Sequence, residues 1–157
     1  MQRNELDENF MNQAIALSLK AQKMGEVPVG AVIVYNNKII AKAYNQKESK
    51  NDPTQHAEII AIKKACKKIK DFRLNRCTMY VTLEPCVMCM GAILSARIGR
   101  LVFGASQDKE NILSAYEIND RAGVNHKCEI TSGICADSAK KIVSSYFQSK
   151  RKGKNKI

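Results

Sequence analysis

His56-Ala57-Glu58 and, about thirty residues on, Pro85-Cys86-Val87-Met88-Cys89 are the stretches of this chain whose residue types and spacing could do chemistry. One imidazole and two thiols form a set of three zinc ligands. Three protein ligands leave one tetrahedral position open, which is how catalytic zinc sites differ from structural ones. Glu58, two residues past the histidine, is placed to move a proton at that open position. Zinc lowers the pKa of a bound water from 15.7 towards roughly 7 in its best-known site. Two thiolates donate charge and blunt that effect, so a separate base is useful. The expected chemistry is attack of the activated hydroxide on an electrophilic carbon, with Glu58 taking the water proton and passing it on.

These ligands need particular local structure. Cys86 and Cys89 are three apart and share one face of a helix. Pro85 suits a first helical position, where its missing N–H would be unpaired anyway. The sulfurs then lie in the first turn, where the helix dipole favours thiolate. Taken alone, Cys-x-x-Cys reads equally as a redox pair or as two buried apolar side chains. The preceding proline and the upstream His-x-Glu turn the reading to metal. In a regular helix, residues two apart point about 200° from each other. His56 and Glu58 therefore share a site only at a helix start, and Asn51-Asp52-Pro53-Thr54-Gln55 offers the capping residues and proline of such a start.

The elements that position this set follow from the apolar pattern. Phe10, Ala14, Leu17 and Ala21 recur at helical spacing and predict a helix from about Asp7 to Met24, ended by Gly25. Val29 to Tyr35 is a β-branched run, Asn36-Asn37 a tight turn, and Lys38 to Tyr44 a returning strand. Asn45 closes this hairpin and reads by itself as a turn residue. A helix from His56 to about Lys68 carries Ile59, Ile60, Ile62, Ala65 and Cys66 on its apolar side. Cys77 to Leu83 is a third strand that delivers Glu84-Pro85-Cys86, followed by a helix from Val87 to about Arg97. Ile98 to Gly104 contains a fourth strand. Asp108-Lys109-Glu110-Asn111 is polar, Ala122-Gly123 looks like a break, and a short helix fits between them. Cys128 to Thr131 reads as a brief fifth strand, and Ala136 to about Ser149 as a last helix with Ala139, Ile142, Val143 and Tyr146/Phe147 as its apolar face. The division is one domain, 1–149, and a basic tail, 150–157.

The 157 residues suit one domain burying about 68–70% of its unfolded surface. No apolar run is long enough to span a membrane. The first residues hold no apolar signal core, so the protein reads as cytoplasmic. In that setting the six cysteines are metal ligands and free thiols rather than disulfides. The net charge is +11, from 26 basic and 15 acidic residues. Lys63, Lys64, Lys67, Lys68 and Lys70 form one cluster. Lys150, Arg151, Lys152, Lys154 and Lys156 form another. Such an excess is either a solvated surface or the footprint of a polyanionic substrate.

The order His-x-Glu … Pro-Cys-x-x-Cys is the known signature of zinc nucleobase deaminases, tRNA adenosine deaminases among them. Over nearly its whole length the chain resembles the bacterial tRNA-specific adenosine deaminases of the cytidine-deaminase-like superfamily. The resemblance rests on Glu26-Val27-Pro28-Val29-Gly30-Ala31, Asp52-Pro53-Thr54 before the histidine, Thr82-Leu83-Glu84-Pro85-Cys86-Val87-Met88-Cys89, Gly91-Ala92, Val102-Phe103-Gly104-Ala105 and Asn125-His126. It implies a three-layer α/β/α fold with a mixed five-stranded sheet whose last two strands are parallel. It implies one zinc per subunit on His56, Cys86 and Cys89, Glu58 as proton shuttle, and substrate-binding roles for Asn45, Val29 and Ala57. It also implies a homodimer acting on a tRNA anticodon stem-loop, converting the wobble adenosine, typically of an arginine tRNA, to inosine. The chain's own basic tail adds Lys150, Arg151 and Lys152 as expected RNA contacts. Two stretches depart from the family. Glu110-Asn111-Ile112-Leu113-Ser114-Ala115 replaces a Gly/Ala-rich segment. Gln148-Ser149-Lys150-Arg151 follows the aromatic pair where Arg-x-Arg-Arg is usual, and lysine does not copy arginine's bidentate grip on phosphate. His126 reads as structural.

Two other readings compete. A deaminase of free guanine, cytosine or a nucleoside would use the same zinc and Glu58. A non-enzymatic zinc module that binds RNA would need a fourth protein ligand, with Cys66 or Cys77 as the candidates.

Overall fold

The computed structural model describes residues 2–107, 112–121, 123 and 126–154. The expected polar stretch at 108–111, and parts of the 122–125 region, lie outside these. Ten elements follow in order: α1 (Arg3–Lys23), β1 (Gly30–Tyr35), β2 (Lys38–Tyr44), α2 (Ala57–Ile69), β3 (Thr78–Leu83), α3 (Val87–Ser95), β4 (Arg100–Ala105), α4 (Ala115–Arg121), β5 (Glu129–Ser132) and α5 (Ala136–Lys154).

The strands form one sheet in the order β2-β1-β3-β4-β5. β1 pairs antiparallel with both β2 and β3, while β3–β4 and β4–β5 are parallel. Asn36 and Asn37 both take positive φ, the conformation that a two-residue hairpin turn requires. The inner strands are apolar on both faces because both faces are covered. Val32, Val34, Tyr80 and Val102 pack on Met11 and Ala14 of α1. Ala31, Ile33, Met79, Val81, Leu101 and Phe103 point the other way, onto Ala57, Ile60, Ala61 and Ala65 of α2 and Met90, Ile93 and Leu94 of α3. α5 lies on the α1 side, against β4. The result is the expected three-layer α/β/α arrangement with a mixed five-stranded sheet.

The structure departs from the sequence reading at several element ends. α1 starts at Arg3 rather than Asp7. Pro85 precedes the N-cap residue Cys86 instead of opening the helix, so its missing N–H is not one of the helix's own. α5 does not stop at Ser149 before a tail; it runs to Lys154. Lys and Arg are good helix formers, and the Lys150 ammonium lies 5.5 Å from the Tyr146 ring centroid one turn back, which favours continuation. The apolar face of α5 also divides differently: Ala139 and Tyr146 are buried, whereas Phe147 is exposed.

A buried polar cluster ties the layers together at the sheet end away from the catalytic motifs. The Asp7 carboxylate of α1 accepts bonds from Tyr80 Oη (2.8 Å) and from Arg100 Nη1 and Nη2 (2.8 and 2.7 Å). His126 hydrogen-bonds the Ile98 carbonyl at 2.8 Å.

Candidate active site

Both halves of the motif come together at the carboxyl ends of β3 and β4, where open α/β sheets usually carry their sites. His56 is the N-cap of α2, with φ −78° and ψ 152°. This extended residue at the helix start is the irregularity that lets His56 and Glu58 face one centre. The approach is fixed by Asp52, whose Oδ1 accepts the Thr54 N–H (2.9 Å) and hydroxyl (2.7 Å). Cys86 is the N-cap of α3 and Cys89 lies in its first turn.

His56 Nδ1 is 3.5 Å from Cys89 Sγ and 3.8 Å from Cys86 Sγ, and the three donor atoms lie within 4.8 Å of one another. Zinc bonds of about 2.3 Å to sulfur and 2.0–2.1 Å to nitrogen at tetrahedral angles put neighbouring donors about 3.5–3.8 Å apart. Both distances from the imidazole to the sulfurs therefore match a zinc site. Among the described residues, this convergent group has three members and includes neither Cys66 nor Cys77. Cys66 instead faces the Phe72 carbonyl at 3.8 Å, and Cys77 is buried in the core. Among the described residues, the four-ligand zinc module therefore lacks its fourth ligand.

The protonation pattern fits the same purpose. The Cys86 thiol is pushed down to about 4 by its hydrogen bond with Cys89 and then by His56, against the opposing pull of burial. Cys89 is driven upwards, first as the partner of Cys86 and then by burial. His56 is raised by its own bond with Cys86. Glu58 is 3% exposed, and burial lifts its carboxyl above the usual range, with His56 opposing. A carboxyl lifted towards neutrality suits general acid–base work.

The set opens into a cavity of about 340 Å³. Val29, Asn45, Glu58, Glu84 and Ala105 are its buried lining; Lys47, Ser106, Lys140, Ser144 and Phe147 are exposed at its rim. Asn45 Oδ1 accepts the Ala57 N–H at 2.7 Å, satisfying a first-turn donor of α2. That bond fixes the amide's orientation and leaves Nδ2 for the cavity side. Asn45 is thus more than a turn residue. Ala57 does not line the cavity; its side chain is fully buried between α2 and the sheet. Lys150, Arg151 and Lys152 are exposed on the last turns of α5, beyond the lining.

Several lining residues escape the sequence reading. Glu84 accepts the Gln107 N–H (3.0 Å) on one oxygen and the Ala115 N–H (2.8 Å) on the other, so it links Gln107, just past β4, to the first residue of α4. Lys140, Val143, Ser144 and Phe147 form the α5 wall. Their i, i+3, i+4, i+7 spacing is a visible helical stripe, which reads equally well as core packing. α5 packs close over Gly104: a Cβ there would clash with the Thr82 carbonyl of β3 at 2.7 Å and crowd the Ile134 carbonyl, just before α5, at 3.1 Å, with Ala139 Cβ of α5 at 3.4 Å.

Residues 5–151 match the family described as MafB19-like deaminase. The tRNA-specific adenosine deaminase of Haemophilus influenzae is 46% identical over 154 residues, covering 97% of this chain and 89% of the relative. A solved structure from work on A-to-I editing by tRNA:A34 deaminases is 36% identical, with a TM-score of 0.80, covering 85% of this chain and 98% of that one. A guanine deaminase from Bacillus subtilis is 40% identical, with a TM-score of 0.61, covering 68% of this chain and 66% of that one. With that family model matched over residues 5–151 and 46% identity to a relative along nearly its whole length, the chain belongs to the MafB19-like deaminases and, within them, to the family of the tRNA-specific adenosine deaminases.

Proposed function

We propose that the protein hydrolyses the wobble adenosine of a tRNA anticodon, typically an arginine tRNA, to inosine. The observation that carries this reading is the three-donor cup of His56, Cys86 and Cys89, opening beside a buried Glu58 into a cavity sized for one base. Zinc, one per subunit, is the metal these residues would hold, and it supplies Lewis-acid activation of water at the position the protein leaves free. Glu58 takes a proton from that water and passes it to the purine nitrogen next to the amine-bearing carbon. A C–O bond forms at that carbon, its C–N bond breaks, and the remaining water proton leaves with the nitrogen as ammonia. Asn45 offers its Nδ2 donor to the purine, and Val29 packs on the base. Anticodon-loop bases unstack readily, so presenting the adenine costs less than from a duplex.

The positive charge supports a polyanionic substrate, and Lys150, Arg151 and Lys152 extend the cavity-facing helix as RNA contacts. A homodimer is supported by the apolar surface beside the cup: Val87, in the first turn of α3, is 64% exposed, and Ile112, Leu113 and Tyr116 are also exposed. Among the described residues, no helix is long and apolar enough to cross a membrane. A tRNA substrate implies the cytoplasm.

The likeness to a guanine deaminase keeps a free-base activity as the second reading. Incubating the zinc-loaded protein with total tRNA and measuring inosine by mass spectrometry tests the first. Ammonia release from free guanine, with no inosine formed in tRNA, would give the second reading instead.

A further inference from the structure

The cavity rim carries two cations that the proposed chemistry does not use. Lys47 comes from the segment between β2 and α2, and Lys140 from the second turn of α5. Both are exposed, and both line the same opening. The acidic side chains in that lining are turned to other work. Glu84 is engaged by two backbone N–H groups, and Glu58 is buried beside the cup. Among the described lining residues, the two exposed charged side chains are thus both cationic.

Both lysines stand on fixed backbone. The Lys47 carbonyl accepts the Asp52 N–H at 3.1 Å. The next two N–H groups, of Glu48 and Ser49, donate to the buried Glu26 carboxylate at 2.9 and 2.7 Å. Lys140 follows Ala139, which is buried against the glycine at position 104. A flexible side chain on an anchored backbone is suited to a phosphate, which needs charge rather than shape.

We infer that Lys47 and Lys140 are a phosphodiester clamp, taking the backbone phosphates that flank the nucleotide delivered into the cavity. A nucleoside that reaches the metal cup as part of a strand carries a phosphate on either side at the mouth; a free base carries none. The clamp therefore selects polynucleotide over free base at the rim, independently of the base contacts inside. It rests on the RNA reading above and adds to it a ligand class and two residues outside the α5 terminus.

The test is equilibrium binding of the zinc-loaded full chain to an anticodon stem-loop hairpin with purine at the target nucleotide, which has no amine to lose. Binding is followed from 50 to 200 mM salt. Each single-strand phosphate contact adds about 0.7 to the slope of log K against log salt. The Lys47→Gln/Lys140→Gln variant should lose about 1.4 of that slope, so its affinity deficit at 50 mM should be about sevenfold larger than at 200 mM. Lys38→Gln/Lys70→Gln removes the same charge at the other ends of β2 and α2, and should keep the wild-type slope. An unchanged slope in the rim variant overturns the clamp. So does an equal loss in both variants, which would reveal only a diffuse field. Wild-type protein that neither binds the hairpin nor makes inosine in tRNA would overturn the functional reading itself, a result separable from the other two.

Discussion

Asn45 has two separable tasks, and one pair of substitutions tells them apart. Its Oδ1 accepts the Ala57 N–H at 2.7 Å inside the structure, and its Nδ2 is left for the purine. Asn45→Ala removes both. The Ala57 donor is then buried without a partner, at a cost of about 1–3 kcal/mol. For a chain of this length that lowers Tm by about 2–12 °C. Asn45→Asp keeps an acceptor for that N–H and adds a negative charge at the start of α2, where the dipole favours it by about 0.3–1 kcal/mol. Its Tm should stay at or slightly above that of the parent. The donor to the purine is lost all the same, and a purine nitrogen left facing an acceptor costs about 1–3 kcal/mol, or about 5–150-fold in kcat/KM. Thermal melts of the zinc-loaded protein, together with initial rates on an anticodon stem-loop, measure both. If Asn45→Asp is stable and fully active, Asn45 is a helix cap and nothing more, and its place in substrate recognition is refuted.

Glu58→Gln should keep its zinc, measured by metal analysis, while turnover falls at least 10²–10⁴-fold, the usual share of a general acid–base; loss of the metal would make Glu58 a ligand rather than a proton carrier. Asp7→Asn should lower Tm by about 6–20 °C, because breaking a buried pair costs about 3–5 kcal/mol and strands the Arg100 guanidinium. Burial alone would raise the Asp7 carboxyl, but the bonds from Arg100 and Tyr80 outweigh it and hold it below its usual range. Its contribution is thus full above the ordinary carboxylate pKa near 3.9 and is lost as pH falls through the lower folded value, so the parent's melting temperature should drop more steeply in acid than that of Asp7→Asn. Gly104→Ala should cost about 1–3 kcal/mol by overpacking and raise KM for the hairpin through the α5 wall while zinc content holds; an unchanged KM would show that α5 does not shape the cavity.

The residues of the metal cup are legible in the sequence because their chemistry is local. His-x-Glu at a helix start and Pro-Cys-x-x-Cys at another each fix donor positions within one turn of backbone, so type and spacing suffice. The strands are legible for a similar reason, since the run from Val29 to Tyr35 is apolar at every position and needs covering on both faces. The structure alone decides what surrounds the cup. Lys140 and Phe147 reach the cavity only because α5 returns across β4 over Gly104, a contact between residues some forty apart whose stripe in the sequence looks like any core-facing helix. Ala57 stands between two functional residues in the chain yet faces the core, because successive helical positions point in different directions. Asn45 acquires its partner from the next helix across the connection 45–56, a pairing twelve residues apart that short-range pattern cannot express. Backbone geometry within a turn is written in neighbouring side chains, whereas which distant surfaces meet depends on how whole layers pack, and that is where the substrate end of this site is made.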